Sequence, residues 1–244
     1  MFGRKFLIFI FFSTFLFGQK NVENQQLLWY GYYNKLQINQ NWVLNSEVQE
    51  RHFYQPLVQH QLVFRTNLDR RILDDINVSL GFVVFLQSPN DPESESTLMV
   101  PELRTDFGFN ARKKYKYFNV NQRFKVEARF FHQTENNELV GGYQFSNFRM
   151  RYQLGLDIPL IKKQDAEKLI LKIKDEVMFN FGKNIVKNVF DQNRIYIGLN
   201  YPLNKNLAFE AGYLNWFQQR PSGTDFYNRD IIRFSVFHTI NLKK

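Results

Sequence analysis

Val120 to Phe130 reads VNQRFKVEARF, and its residues sort by parity into two chemically opposed sets. Val120, Phe124, Val126, Ala128 and Phe130 are apolar, whereas Asn121, Arg123, Lys125, Glu127 and Arg129 are polar or charged. Side chains of an extended chain alternate between two faces, so a period of two marks a strand; a helix would mix the sets. The same dyad returns in Phe148 to Ile158, where Phe148, Met150, Tyr152, Leu154, Leu156 and Ile158 oppose Arg149, Arg151, Gln153 and Asp157. It returns again in Trp42 to Arg51, Gln192 to Tyr201 and Ile232 to Leu242. One face is greasy throughout and the other carries ions.

Composition restates the pattern. Aromatic residues make up 17% of the chain, with 27 Phe and 12 Tyr, yet 23% of residues are charged. Mean hydropathy is only −0.42. A soluble domain would bury that many Phe in an oversized core, whereas a barrel in lipid turns them outward and keeps its charges inside. In hydrocarbon no water satisfies backbone N–H and C=O groups, so a spanning sheet must close on itself. The expected fold is therefore all-β: an antiparallel up-and-down transmembrane β-barrel.

Strands are expected near residues 27–38, 41–54, 57–69, 76–87, 99–111, 118–132, 144–159, 168–182, 192–202, 206–218 and 230–242. Many exceed the roughly 9–11 residues that cross a bilayer at a tilt. Because single-chain bacterial barrels have even strand numbers, eleven segments imply one divided or one missed, and the expected count is 10 or 12, with 12 favoured. Ser88 to Leu98, Thr134 to Tyr143 and Arg220 to Arg229 are turn-rich and are expected as outer loops, with Pro202 to Asn206 a tight periplasmic turn. The aromatic residues Trp29, Tyr30, Tyr32, Tyr33, Tyr213, Trp216 and Phe217 are expected in interfacial belts.

The N-terminus adds a compartment. Arg4 and Lys5 precede the apolar run Phe6 to Phe12 and, after Ser13-Thr14, Phe15 to Phe17, ending at Gly18. These are the parts of a secretory signal peptide, too short to span a membrane as a helix. Residues 1–18 are expected to be cleaved, leaving 19–244 as one barrel domain in the outer membrane of a Gram-negative bacterium. Cleavage takes two of the 32 basic residues and none of the 23 acidic ones, leaving net +7. The excess is scattered rather than gathered in a tract, so no nucleic-acid partner is expected. Expected partners are outer-membrane lipid, including lipopolysaccharide, and the barrel-insertion machinery, and the oligomeric state stays open. Cysteine is absent, so no disulfide or thiolate metal site exists.

VPELR at Val100 to Arg104, DEVMFNFG at Asp175 to Gly182, FDQNRIYIGLNY at Phe190 to Tyr201 and GYLNWFQQR at Gly212 to Arg220 resemble an exported family catalogued as domain of unknown function 2490. The resemblance covers the mature chain and implies an outer-membrane barrel, with no catalytic residue or ligand to carry over. The chain departs from many barrels at its end, where Leu242 is followed by Lys243-Lys244 instead of a terminal aromatic residue.

Chemistry is sparse. The four histidines, His52, His60, His132 and His238, fit no nucleophile-elbow or metalloprotease spacing. Glu102 and Asp106 share a face but stand roughly 13 Å apart on an extended chain, which suits ion pairing better than acid–base work. No catalytic residue, metal ligand or cofactor is expected. Arg123, Arg129, Arg149 and Arg151 form a basic ladder on adjoining strands that can bind a phosphate or carboxylate, or else be neutralised by Glu127 and Asp157 as a structural lattice. The leading expectation is a non-enzymatic barrel with a charged, largely filled interior; the alternatives are a lipid-modifying outer-membrane enzyme and a soluble periplasmic β-protein that binds an apolar ligand.

Overall fold

A computed structural model describes residues 20–163 and 166–242; the expected signal peptide over 1–18 lies outside the described residues. Eleven strands follow one another: β1 (Asn21–Gln37), β2 (Trp42–Phe53), β3 (Gln59–Leu73), β4 (Ile76–Gln87), β5 (Val100–Lys114), β6 (Asn119–Glu135), β7 (Glu138–Lys163), β8 (Ala166–Phe181), β9 (Phe190–Pro202), β10 (Leu207–Gln219) and β11 (Asp225–Asn241). Each pairs antiparallel with its sequence neighbours, and β1 joins β11 to close the barrel. That closure corrects the even count expected from sequence. In an up-and-down meander of odd number the first and last strands run the same way, so the seam has to be parallel, and β1 and β11 pair in parallel from Asn21↔Asp225 to Gln37↔Asn241. Nothing in the period-two pattern distinguishes a parallel partner from an antiparallel one.

Parity sets the two faces as read from sequence. Leu80, Phe107, Phe124, Leu154, Ile197 and Phe234 stand exposed on the outside, while Arg104, Glu127, Arg149 and Arg151 are buried on the inside. The connections 54–58, 88–99, 136–137, 182–189 and 220–224 lie at one end together with the start of β1; 38–41, 74–75, 115–118 and 203–206 lie at the other with the end of β11. We call these the loop end and the tight-turn end. The three long loops expected from sequence do share one end, but two are shorter than expected. Asp225 to Arg229 belongs to β11, and Thr134 to Tyr143 is mostly hairpin. There Asn136 and Asn137 have φ of 50° and 63°. Positive φ at both central positions is what a two-residue type I′ turn requires, and Asn tolerates it.

Candidate functional site

The barrel's interior is a lattice of ion pairs. Glu102 receives Arg104 Nε at 2.5 Å and Arg129 Nε at 2.6 Å. Glu127 receives Arg149 Nε at 2.8 Å and Arg151 Nη1 at 2.6 Å. Glu176 receives Arg123 Nη2 and Arg151 Nη2, both at 2.8 Å. Arg149 also reaches past β8 to Asp191 on β9, 3.0 Å from Nη1, and Lys125 holds Asp106 at 2.6 Å. The ladder Arg123, Arg129, Arg149 and Arg151 is thus brought together in the lumen with each guanidinium on a carboxylate. The counter-charges are Glu102, Glu127, Glu176 and Asp191; Asp157 faces Arg112 and Lys172 instead.

Room for these side chains comes from small residues at close approaches. Gly198 and Gly212 are register partners across β9 and β10, and the Tyr196 ring lies over both. From there its hydroxyl donates to Glu210 Oε1 at 2.8 Å. A Cβ on either glycine would push the ring off its acceptor.

Beside the lattice, which itself reaches the loop end at Glu102 and Asp191, the interior turns aromatic. Leu27, Trp29, Phe53, Tyr196, Leu214, Trp216 and Ile231 form one buried cluster, and Val63, Val83 and Phe85 a second. Trp29 and Trp216, expected in an interfacial belt, are therefore inside, their rings edge-on with centroids 5.8 Å apart. Tyr33 is also inward, accepting from Arg233 Nη2 at 2.6 Å. Tyr30, Tyr32, Tyr213 and Phe217 do have outward parity; Tyr30 and Tyr32 are exposed. Both faces of β1 and β10 are apolar at this level, so periodicity alone could not choose between them.

Together these layers close the lumen. Glu102, Glu127, Arg229, Val63 and Ile231 each have 0% exposure although they project into the barrel's centre. Below them, toward the tight-turn end, the interior is open: a chamber of about 370 Å³ lined by Glu47, Arg65, Asn67, Ser79, Arg123 and Lys125 continues into a mouth of about 690 Å³, the two sharing Lys35 and Asp69. This open end forms a cup; at the loop end a separate hollow of about 460 Å³ lies between loop 88–99 and the β6–β7 hairpin, lined by Gln87, Asn90, Ser96, Phe131 and Thr134.

A family model described as "Protein of unknown function (DUF2490)" matches residues 26–228, from β1 into β11. The chain belongs to DUF2490. No curated protein matches the DUF2490 chain. Among solved structures, LpxR from Salmonella typhimurium is 12% identical and aligns over 81% of this chain and 83% of its own, with a TM-score of 0.43.

Other polar groups of this DUF2490 barrel resolve into structural contacts. His238 faces outward, its Nδ1 2.8 Å from Tyr32 Oη, while Ser235 is buried inward beside Arg233. Asp175, on the outer face, accepts from Asn193 Nδ2 at 2.6 Å. Among the described residues no three His, Asp or Glu side chains converge in a metal-binding group. What sequence reasoning missed is a second set of arginines: Arg51, Arg194 and Arg229 surround Trp29 and Trp216. Arg51 and Arg194 carry polar-face parity in the dyads of Trp42 to Arg51 and Gln192 to Tyr201, but Arg229 fell in an expected loop and the direction of the two Trp was not readable.

Proposed function

We propose that this protein is an exported outer-membrane barrel that does not conduct, with a non-enzymatic role exercised from its loop end and its cup. The carrying observation is the sealed waist, where Glu102, Glu127 and Arg229 have no solvent exposure. With eleven strands the interior is narrow enough for long side chains to fill, unlike the 16–18-stranded porins that leave an aqueous channel. Membrane placement is supported by outward Phe107, Phe124, Leu154 and Ile197, which are exposed and would be poor surface for a water-soluble protein. The longer connections favour the loop end as the outer side and the cup as periplasmic.

The lipid-modifying alternative finds less support. Glu50 Oε1 orients His52 Nε2 at 3.0 Å on the outer face, but the register neighbours of the pair on β1 and β3 are Leu28, Tyr30, Gln59 and Leu62, which bring no serine, threonine or cysteine nucleophile. Purified barrel reconstituted in planar bilayers tests the proposal. The expected result is a silent membrane together with heat-dependent gel mobility; stepwise ohmic conductance from heat-modifiable protein overturns it.

A further inference from the structure

Three guanidiniums converge on the two buried indoles. Arg51 lies 3.9 Å from the centre of the Trp29 ring, Arg229 4.4 Å from Trp216, and Arg194 4.5 Å from Trp216 and 5.6 Å from Trp29. The arginines of the lattice all rest on carboxylates; among the described residues these three do not. Arg51 donates to Gln49 Oε1 at 2.7 Å and Gln61 Oε1 at 2.6 Å. Arg229 donates to Gln25 Oε1 at 2.7 Å, Gln218 Oε1 at 2.6 Å and Asn90 Oδ1 at 3.0 Å. Every one of those acceptors is a neutral amide. Arg194 Nε, although buried, has no partner at all. Ring faces attract cations but do not cancel three charges taken out of water.

The unpartnered atoms in this cluster point to what is missing. They are Arg194 Nε, Trp29 Nε1, Trp216 Nε1 and His60 Nδ1, and His60 packs 5.9 Å from the Trp216 ring. Arginine and indole nitrogens donate only, so the absent species is an acceptor. Gln192 Oε1, two residues from Arg194 and itself unpartnered, is a neutral acceptor with two lone pairs and cannot serve all of these donors. Buried water would relieve the hydrogen-bond deficit but would leave the charge.

The cluster also has a cap. Loop 88–99 dips into the loop-end mouth, where Asn90 Oδ1 accepts from Arg229 and stands 3.5 Å from His60 Nε2, while the Asn90 carbonyl accepts from Gln25 Nε2 at 2.9 Å. A single amide oxygen thus reaches the most buried of the three guanidiniums.

We infer that the loop end holds an oxyanion-binding site for a phosphate-class group, built by Arg51, Arg194, Arg229, His60 and the two indole N–H groups, in which Asn90 Oδ1 occupies the place of a ligand oxygen. Guanidiniums match the oxygens of phosphate in geometry as well as charge. The ligand enters as loop 88–99 swings out and replaces a neutral acceptor by a charged one. Site occupancy is independent of conductance, since a conducting and a silent barrel can be titrated alike.

Trp29 and Trp216 report on their own site. With Trp42, the third tryptophan, changed to phenylalanine, all indole fluorescence comes from the cluster. Inorganic phosphate titrated into the folded barrel in non-ionic detergent should give a saturable change that chloride at equal ionic strength does not. Asn90→Gly, which removes the stand-in oxygen, should tighten binding; Arg194→Gln should weaken it by about tenfold or more, the worth of one charge-assisted contact. Asn90→Asp carries its own carboxylate to Arg229 and should abolish the response, which keeps the test decisive if Arg194→Gln does not fold. No saturable change in either the parent or Asn90→Gly, with inorganic phosphate up to about 10 mM, the range where affinity falls to roughly 3 kcal/mol, or with lipopolysaccharide micelles, overturns the inference. So does an equal response to chloride, or a response that survives Asn90→Asp unchanged. Lipopolysaccharide micelles distinguish the source: a response to micelles alone assigns the phosphate to lipid, and a response to inorganic phosphate assigns it to a free solute.

Discussion

Replacing Glu127 by Gln should be among the most damaging conservative substitutions in the barrel. Its carboxylate has 0% exposure and is held by Arg149 Nε at 2.8 Å and Arg151 Nη1 at 2.6 Å, with Arg104 Nη1 at 3.8 Å. The amide keeps the shape but turns an NH₂ toward guanidinium donors and leaves a net positive cluster without water. Removing one partner of a buried ion pair costs about 3–5 kcal/mol. Arg149 retains Asp191 at 3.0 Å and Arg151 retains Glu176 at 2.8 Å, which places the expected loss near the lower bound, about 3 kcal/mol. With a urea slope of about 3 kcal/mol/M, the unfolding midpoint falls by about 1 M. Reversible urea unfolding in lipid vesicles, followed by heat-dependent gel mobility, reads the shift. Glu95→Gln, on the exposed loop 88–99, is the control and should move the midpoint by no more than about 0.3 M, since exposed charges contribute roughly 0–1 kcal/mol. Equal midpoints for the two variants would refute the idea that the lattice holds the lumen together. Because Asp191 shares Arg149 with Glu127, adding Asp191→Asn should cost more in the Glu127→Gln background than alone, by about 0.5–3 kcal/mol.

Further expectations test the faces, the seam and the close approaches. Leu154→Arg on the outer face should destabilise the inserted barrel by about 2–4 kcal/mol if Leu154 sits near the bilayer midplane; vesicle unfolding that matches the parent would place that face away from lipid. Tyr32→Cys with Val236→Cys, outward register partners across the parallel seam in a chain without cysteine, should form a disulfide, because neighbouring strands about 4.8 Å apart bring Cα atoms within bonding range. Unchanged gel mobility with and without reductant under oxidising conditions would exclude the eleven-strand closure. Gly81→Val intrudes on Asn67 and the Asp106 carboxylate that holds Lys125, and should cost about 1–3 kcal/mol as overpacking. Gly142→Val, with nothing within 4 Å of the added Cβ, should leave the midpoint unmoved.

Much of this architecture was legible in the sequence because one physical rule, two chemically distinct faces on an extended chain, acts at every residue. Val120 to Phe130 and Phe148 to Ile158 read correctly for that reason, and all eleven strands were located, although β1, β7 and β11 begin five or six residues before their expected starts. Three features were not legible, each for its own reason. Strand parity was overridden by a rule about bacterial barrels that says nothing of which edges meet. Trp29 and Trp216 sit on strands where both faces are apolar, so alternation carries no direction there. The partners of the ladder were hidden because parity gives the face but not the register; Arg149 meets Asp191 across an intervening strand, a contact that needs the barrel's curvature as well as its pattern. The arginines that lack carboxylates could emerge only once those that have them were placed.

The parallel seam asks for an explanation of how two edges about two hundred residues apart find the right register. A parallel ladder is slightly weaker per residue than an antiparallel one, and no hairpin turn sets its alignment. Side chains supply what the turn does not. Tyr33 stacks on Phe237 at 4.8 Å and Tyr30 on Phe234 at 6.1 Å, Tyr32 meets His238 at 2.8 Å, and Gln25 takes Arg229 at 2.7 Å. These contacts fall on both faces of the seam between Gln25 and Tyr33. A slip of β11 by one residue would break all of them and turn Arg229 and Arg233 from the lumen to the outer face. At about 2–4 kcal/mol for each arginine near the bilayer midplane, falling toward the interfaces, that exchange penalises the wrong register more than the ladder's own hydrogen bonds distinguish it. The inward arginines of β11 therefore fix the alignment of the seam as well as filling the lumen behind it.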